Sequence, residues 1–376
     1  MSRRWMRVVA AAVLAGSLIG AGCWWALLRS QPHQAGLLVA VAAAAGEPVV
    51  VVTPPRGPTI PSTSATTVQP ASPVWDLCGI GRLPIPMPHS AAASAAELTE
   101  LPAHLGSMAA ARLAEQVLAE LSQGTLRQRA AALILNADAE RAPAAAAQVA
   151  QLALTSNDPV VLSWAWSRCH GNPACARPLA RAWAQAEPDN AVPWLAWWNS
   201  DPAVATEARA RIAVAKRFAL NWGSLLQTTQ PVLAASDAAP YLRMMLQTYV
   251  IGFDAALSWP SFVPLTTMCN PAPKPGSEAQ AACSAVAELL VDRSDTLLAY
   301  IIGSRMAESA GWPPERLTRL RAERKRIDAV RGELPLDEKQ PLSCESVALS
   351  DRYWSQIFDL GELGLYKRKA ALQERR

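Results

Sequence analysis

An uncharged run from Val8 to Leu28, preceded by Arg3, Arg4 and Arg7, decides in which compartment the rest of this chain folds. The run has roughly the twenty residues that a helix needs to cross a bilayer. Positive charge before it keeps the amino terminus in the cytoplasm and sends the remainder across, although Arg29 on the far side reduces the asymmetry. Trp24 and Trp25 suit the aromatic belt of the outer interface, and Leu27 and Leu28 carry the apolar run past the length of a secretory core. The segment therefore reads as an uncleaved signal anchor. Two processed forms stand beside it: cleavage near Gly16 to Gly22, which would secrete the body, and lipoprotein processing at Cys23, where Gly20 replaces the usual leucine three residues before. A second apolar patch, Gly36 to Ala45, is too short to span, and Glu47-Pro48 separates it from Val49 to Val52. The expectation is a single-pass protein of the bacterial inner membrane with its carboxy-terminal body in the periplasm. A membrane hairpin through the second patch would instead return the body to the cytoplasm.

From Thr53 to Pro73 the chain is dominated by Pro, Ser and Thr, a composition that gives an extended spacer without a core. The organisation is then a membrane segment over 1–30, a linker over 31–75 and a folded body over 76–376. In "RLPIPMPH" the alternation of Pro84, Pro86 and Pro88 with apolar residues favours a polyproline II strap packed along the body, or a ligand for a proline-recognition module. With 51% hydrophobic and 18% charged residues the body can bury a core, and a net charge of +4 over 376 residues gives no reason to expect nucleic acid.

Beyond Ala91 the signals are helical. Leu113, Val117, Leu118 and Leu121 form a stripe that Gly124 ends, and Thr125 with Gln128 opens the next helix as a capping box. Asp158-Pro159 and Asp201-Pro202 each place a capping residue before a proline at the first helical position, and Ser277 with Gln280 makes another box. No alternation of period two holds over a strand length. The body is expected to be all-α, built of short antiparallel helix hairpins.

The phrase "AQAEPDNAVPWLAWW" resembles the junction between tetratricopeptide repeats (TPR), where a proline closes one helix pair and a tryptophan opens the next. Pro188, Asp189, Asn190 and Trp194 fall at matching places, with Ala176 as the small residue of the preceding helix. Trp198 stands where that family places a tight-packing glycine, and Trp183 where it places an alanine. The Asp-Pro starts at 158 and 201 are not spaced at a constant period with it. The resemblance implies a degenerate, TPR-like α/α arrangement and transfers no ligand site.

Six cysteines remain after Cys23, an even number that an oxidising compartment turns into disulfides. Proximity pairs Cys169 with Cys175 across the turn-like Gly171-Asn172-Pro173, and Cys269 with Cys283 across a proline-rich loop. Cys78 and Cys344 are left for each other. Neither Cys-x-x-Cys-His nor Cys-x-x-Cys is present, and thiolates for zinc survive poorly where disulfides form. His170 reads as a loop residue at the mouth of the first bridge, with metal ligation or acid–base work as its alternatives.

Trp164, Trp166, Trp183, Trp194, Trp197 and Trp198 cluster in a chain whose aromatics total 6%. Such a cluster is either packed between hairpins or partly exposed as a groove for sugar or peptide, and Trp164, Trp166, Trp194, Trp197 and Trp198 are the candidate binding residues. Over 314–334, Leu317, Leu320, Ile327, Val330 and Leu334 line one stripe of a helix crowded elsewhere with arginine and lysine. That helix and the terminal "YKRKAALQERR" make a solvated basic face, or one that meets anionic lipid or an acidic partner. "RMAESAGW" resembles the Glu-Ser of soluble lytic transglycosylases, which implies Glu308 as an acid toward a glycosidic oxygen, with Ser309 beside it; the family's following Gly-Leu-Met-Gln is missing. No phosphate-binding loop, dinucleotide fingerprint, metalloprotease motif or serine-nucleophile motif occurs. The reading is a membrane-tethered helical-repeat adaptor for other envelope proteins, without cofactor or metal. The alternative is a cell-wall enzyme or carbohydrate binder acting on peptidoglycan through Glu308 or the tryptophans.

Overall fold

A computed structural model describes residues 74–84, 95–136, 142–169, 171–331, 340 and 342–375. The expected anchor at 8–28, Cys23, the patch at 36–45, the spacer up to Pro73, His170 and Leu334 lie outside the described residues. Among the described residues no helix is long and apolar enough to cross a membrane.

The described chain is helical apart from one hairpin at its start. Strand β1 (Val74–Leu77) pairs antiparallel with β2 (Gly81–Pro84), with Val74 opposite Pro84 and Leu77 opposite Gly81. Val74 and Trp75, read as the end of the linker, therefore open a strand, and Arg82 to Pro84, read as polyproline II, close one. Gly79 and Gly81, at φ 90° and 101°, turn the chain in a region that disfavours other residues. Pro84 sits at the end of a two-stranded ribbon, where its missing N–H does no harm. No alternating pattern announces strands this short.

Seven helices follow as a repeat-like succession: α1 (Ala95–Gln123), α2 (Leu126–Leu135), α3 (Ala142–Ser156), α4 (Pro159–Arg168), α5 (Pro173–Ala186), α6 (Ala191–Ser200) and, after a 3₁₀ turn at Pro202–Val204, α7 (Ala205–Ala213). Each packs on the next, and α2 also meets α4 as α3 meets α5, so the hairpins stack side by side. Their starts follow from side-chain caps. Thr125 and Gln128 form the reciprocal box, with Gln128 Oε1 accepting from Thr125 N at 2.8 Å. Asp158 accepts from Val160 N and Val161 N with Pro159 behind it. Asp201 caps the 3₁₀ turn rather than α7 itself.

A second set comprises α8 (Ser224–Ala235), α9 (Pro240–Ala256), α10 (Val263–Met268), α11 (Glu278–Asp292), α12 (Leu297–Ser309), α13 (Pro314–Val330) and α14 (Cys344–Gln373). Helix α14 is two pieces joined at Gly361, where φ is 71° and ψ 165°. Ser277 caps α11 as expected, but Gln280 turns its amide to Gly276 N and Ala310 O instead of closing a box. Helices α8 and α9 fold back on α1, α8 also meets α2, and α11 touches α7. The tryptophans Trp164, Trp166 and Trp183, with Phe218 and Tyr300, fill the interior.

Candidate functional site

Three disulfides fix this frame: Cys169–Cys175, Cys269–Cys283 and Cys78–Cys344, the pairs that sequence proximity indicates. Cys78 also donates its N–H to Leu342 O and accepts from Tyr241 N, so the hairpin is held to α9 and to the approach to α14 by backbone as well as sulfur. Among the described residues no group of three or more metal-ligating side chains converges.

The tryptophans that could have lined a groove are mostly interior. Trp164, Trp166 and Trp194 are buried, and each indole N–H has a partner inside the protein: Ser224 Oγ, Ser200 Oγ and Pro188 O. Trp183, buried beside Trp166 with ring centroids 6.3 Å apart, donates to Glu187 Oε2. The void they share with Trp222 and Trp259 holds about 20 Å³, enough for about one water and far below the few hundred a sugar or peptide fragment fills. Trp197 and Trp198 are half-buried on α6; Arg209 of α7 lies 5.8 Å from the Trp198 ring and Arg211 lies 5.2 Å from that of Trp194. The five therefore do not make one platform.

Glu308 stands at the end of α12 on open surface, half exposed, with its Oε1 accepting from Arg321 at 2.9 Å. It lines neither of the two large grooves. A glycosidic acid works inside a cleft that excludes water and holds a second carboxylate opposite, and neither surrounds Glu308 among the described residues. Ser309 is only half-buried beside it.

The basic helix α13 buries Leu320, Ile327 and Val330 as its stripe predicts. Much of its charge is committed: Arg316 to Asp292, Arg321 to Glu308, Arg326 to Glu374, with Lys367 of α14 on Glu323. Arg316 also stacks over Trp312 at 3.5 Å. An open groove of about 620 Å³ runs between α11, α13 and the end of α14. Arg319 and Lys325 on its wall have no partner among the described residues.

The larger groove, about 750 Å³, lies between α1, α2 and α3. Its apolar floor is Leu118, Leu133 and Leu152, one from each helix and each half-buried against the core. Glu115, Arg129, Gln148 and Gln151 stand on its rim, and no ion pair or hydrogen bond inside the described protein engages the side chains of Arg129, Gln148 or Gln151. Leu154 is 44% exposed on the same helix as Gln151. Three half-covered leucines and three uncommitted polar side chains therefore share one open groove. Sequence reading missed this groove because it names α1 only for its buried stripe.

Comparisons with protein-family models, with curated proteins and with solved structures found no match. What the fold and its grooves define is a class: an all-α protein of stacked helix hairpins, closed by three disulfides.

Proposed function

We propose that this protein is a protein-binding scaffold of the bacterial cell envelope, a degenerate TPR-like array tethered to the inner membrane by residues 8–28 and folded on the periplasmic side. The observation that carries the reading is the groove between α1, α2 and α3, with a leucine from each helix on its floor and an unengaged polar rim. Stacked hairpins present such grooves to partner segments. The bonding of every described cysteine into a disulfide supports an oxidising compartment. No cofactor or nucleic acid enters this function, and peptidoglycan and anionic lipid are secondary to a protein partner.

The test uses the full chain in cells, with a photo-crosslinking amino acid at Leu133 and a control at Leu298, which is 38% exposed on α12. Discrete protein adducts are expected from position 133 and not from 298, and Leu118→Arg with Leu152→Arg should abolish them while helicity is kept. An alkaline phosphatase fused after the body should be active. A silent fusion, or association with purified peptidoglycan and no protein adduct at position 133, overturns the reading.

A further inference from the structure

Each of the three helices that bound the groove of about 750 Å³ turns one face into it, and the three faces share one spacing. On α1 the lining positions are 115, 118, 119 and 122; α2 repeats the interval at 129, 132, 133 and 136, and α3 at 148, 151, 152 and 155. Positions three, four and seven apart make a stripe two turns long on one side of a helix. A separate face of each helix already packs: Val117 and Leu121 of α1, Ala130 and Ile134 of α2, and Val149 and Ala153 of α3 are buried in the core. Each helix therefore has one face covered and one open. Where α3 meets α5 the two helices pack on each other, whereas between α1 and α3 the groove stays open down to Leu133 of α2.

We propose that this groove is the open fourth position of a four-helix bundle, and that an amphipathic helix of a partner protein fills it, with a cation facing Glu115 and an anion facing Arg129. The inference rests on the protein-binding reading above and adds the form and charge of the segment bound. Three converging stripes are what a bundle presents to each of its members, and Leu118, Leu133 and Leu152 are the layer that a fourth helix closes.

A helix satisfies its own peptide groups. An extended segment needs partners for them, and these walls are helices with their backbone bonds internal, which leaves only the rim amides of Asn136, Gln148 and Gln151. Glu115 and Arg129 are exposed on adjacent walls, and neither side chain has an ion pair or hydrogen bond among the described residues. A segment that carries both charges answers them. The chain's own apolar patch, Gly36 to Ala45, is uncharged and does not.

Photo-crosslinking from the full chain in cells reads the form of the occupant. The photoreactive residue is placed in turn at Ala119, Asn136 and Gln151, one exposed lining position from each helix, and each adduct is mapped by mass spectrometry to the residue attacked. One partner segment is expected from all three, with its crosslinked residues three, four or seven apart. Exchanging the charges, Glu115→Arg with Arg129→Glu, should lower the yield at least threefold while circular dichroism keeps the helical signal of the wild type. Crosslinked residues two apart, or a yield that the exchange leaves unchanged, overturn the helix and leave partner binding at the groove standing. Adducts only to this chain itself, or none at any position, overturn both. If the double variant does not fold, Arg129→Glu alone must lower the yield, and an unchanged yield in it overturns the helix equally.

Discussion

Among the described residues Asp254 is the most deeply covered acid, 4% exposed, and no cation pairs with it there. It serves as a remote cap: Gly223, at φ 80°, supplies no side chain at the start of α8, and the Asp254 carboxyl accepts the N–H groups of Gly223 and Leu225 instead. Burial raises its pKa from 3.8 to about 7, against the pull of those two N–H groups. The folded protein therefore holds this proton more tightly than the unfolded chain, so stability is fully present below the unfolded value near 3.8 and declines as pH rises through about 7. The loss reaches about 4 kcal/mol across that window. Asp254→Asn keeps an acceptor for the α8 N–H groups and removes the titration. Urea unfolding at pH 4.5 and pH 8 should show a smaller difference in midpoint for the variant than for the wild type. An equal difference would place the pH dependence elsewhere.

Among the described elements, α11 and α12 share the most extensive contact, and a single residue permits their close approach. A Cβ on Gly303 would lie 2.5 Å from Leu290 Cβ and 3.1 Å from the Leu290 carbonyl carbon, neither of which can swing aside as a flexible side-chain tip would. Gly303→Ala should cost about 1–3 kcal/mol, more than the helix propensity gained by alanine, and should lower the melting temperature of the chain. Nothing in "AYIIGSRM" distinguishes this glycine from one that merely weakens a helix, because the constraint comes from a neighbour thirteen residues away. Cap-based features were legible for the opposite reason. Thr125 with Gln128, and Asp158 with Val160 and Val161, complete their hydrogen bonds within three residues. The β-hairpin was not legible, since four-residue strands carry no period and the prolines of "RLPIPMP" favour another backbone state. Of the site, the tryptophans announced themselves by type alone. Whether an indole packs or binds depends on partners such as Ser224 and Ser200, sixty and thirty-four residues away. The leucine groove draws one wall from each of three helices, an arrangement that no single stretch of sequence displays.

At the scale of the whole molecule the chain is closed on itself. Cys78–Cys344 spans 266 residues, against 6 and 14 for the other two bridges, and its loop takes in α1 to α13. Because a crosslink stabilises mainly by restricting the unfolded chain, and more so for a longer loop, this bridge constrains the unfolded ensemble most. It also holds α14, whose Leu363 N donates to Asp295 O and whose Glu362 accepts Leu297 N, against the start of α12, with Asp76 N bonded to Gln340 Oε1 and Cys78 N to Leu342 O along the same seam. The double variant Cys78→Ser, Cys344→Ser should therefore lose about 2–5 kcal/mol, and Cys169→Ser with Cys175→Ser should lose less, since its loop is only a turn long. Thermal melts of the two variants under oxidising conditions rank them directly. Adding reductant to the wild type should bring its melting temperature down to or below that of the Cys78 variant. A Cys78 variant that melts with the wild type would mean that the packing of α8 and α9 on α1 closes the molecule without sulfur, leaving the bridge to hold only the hairpin.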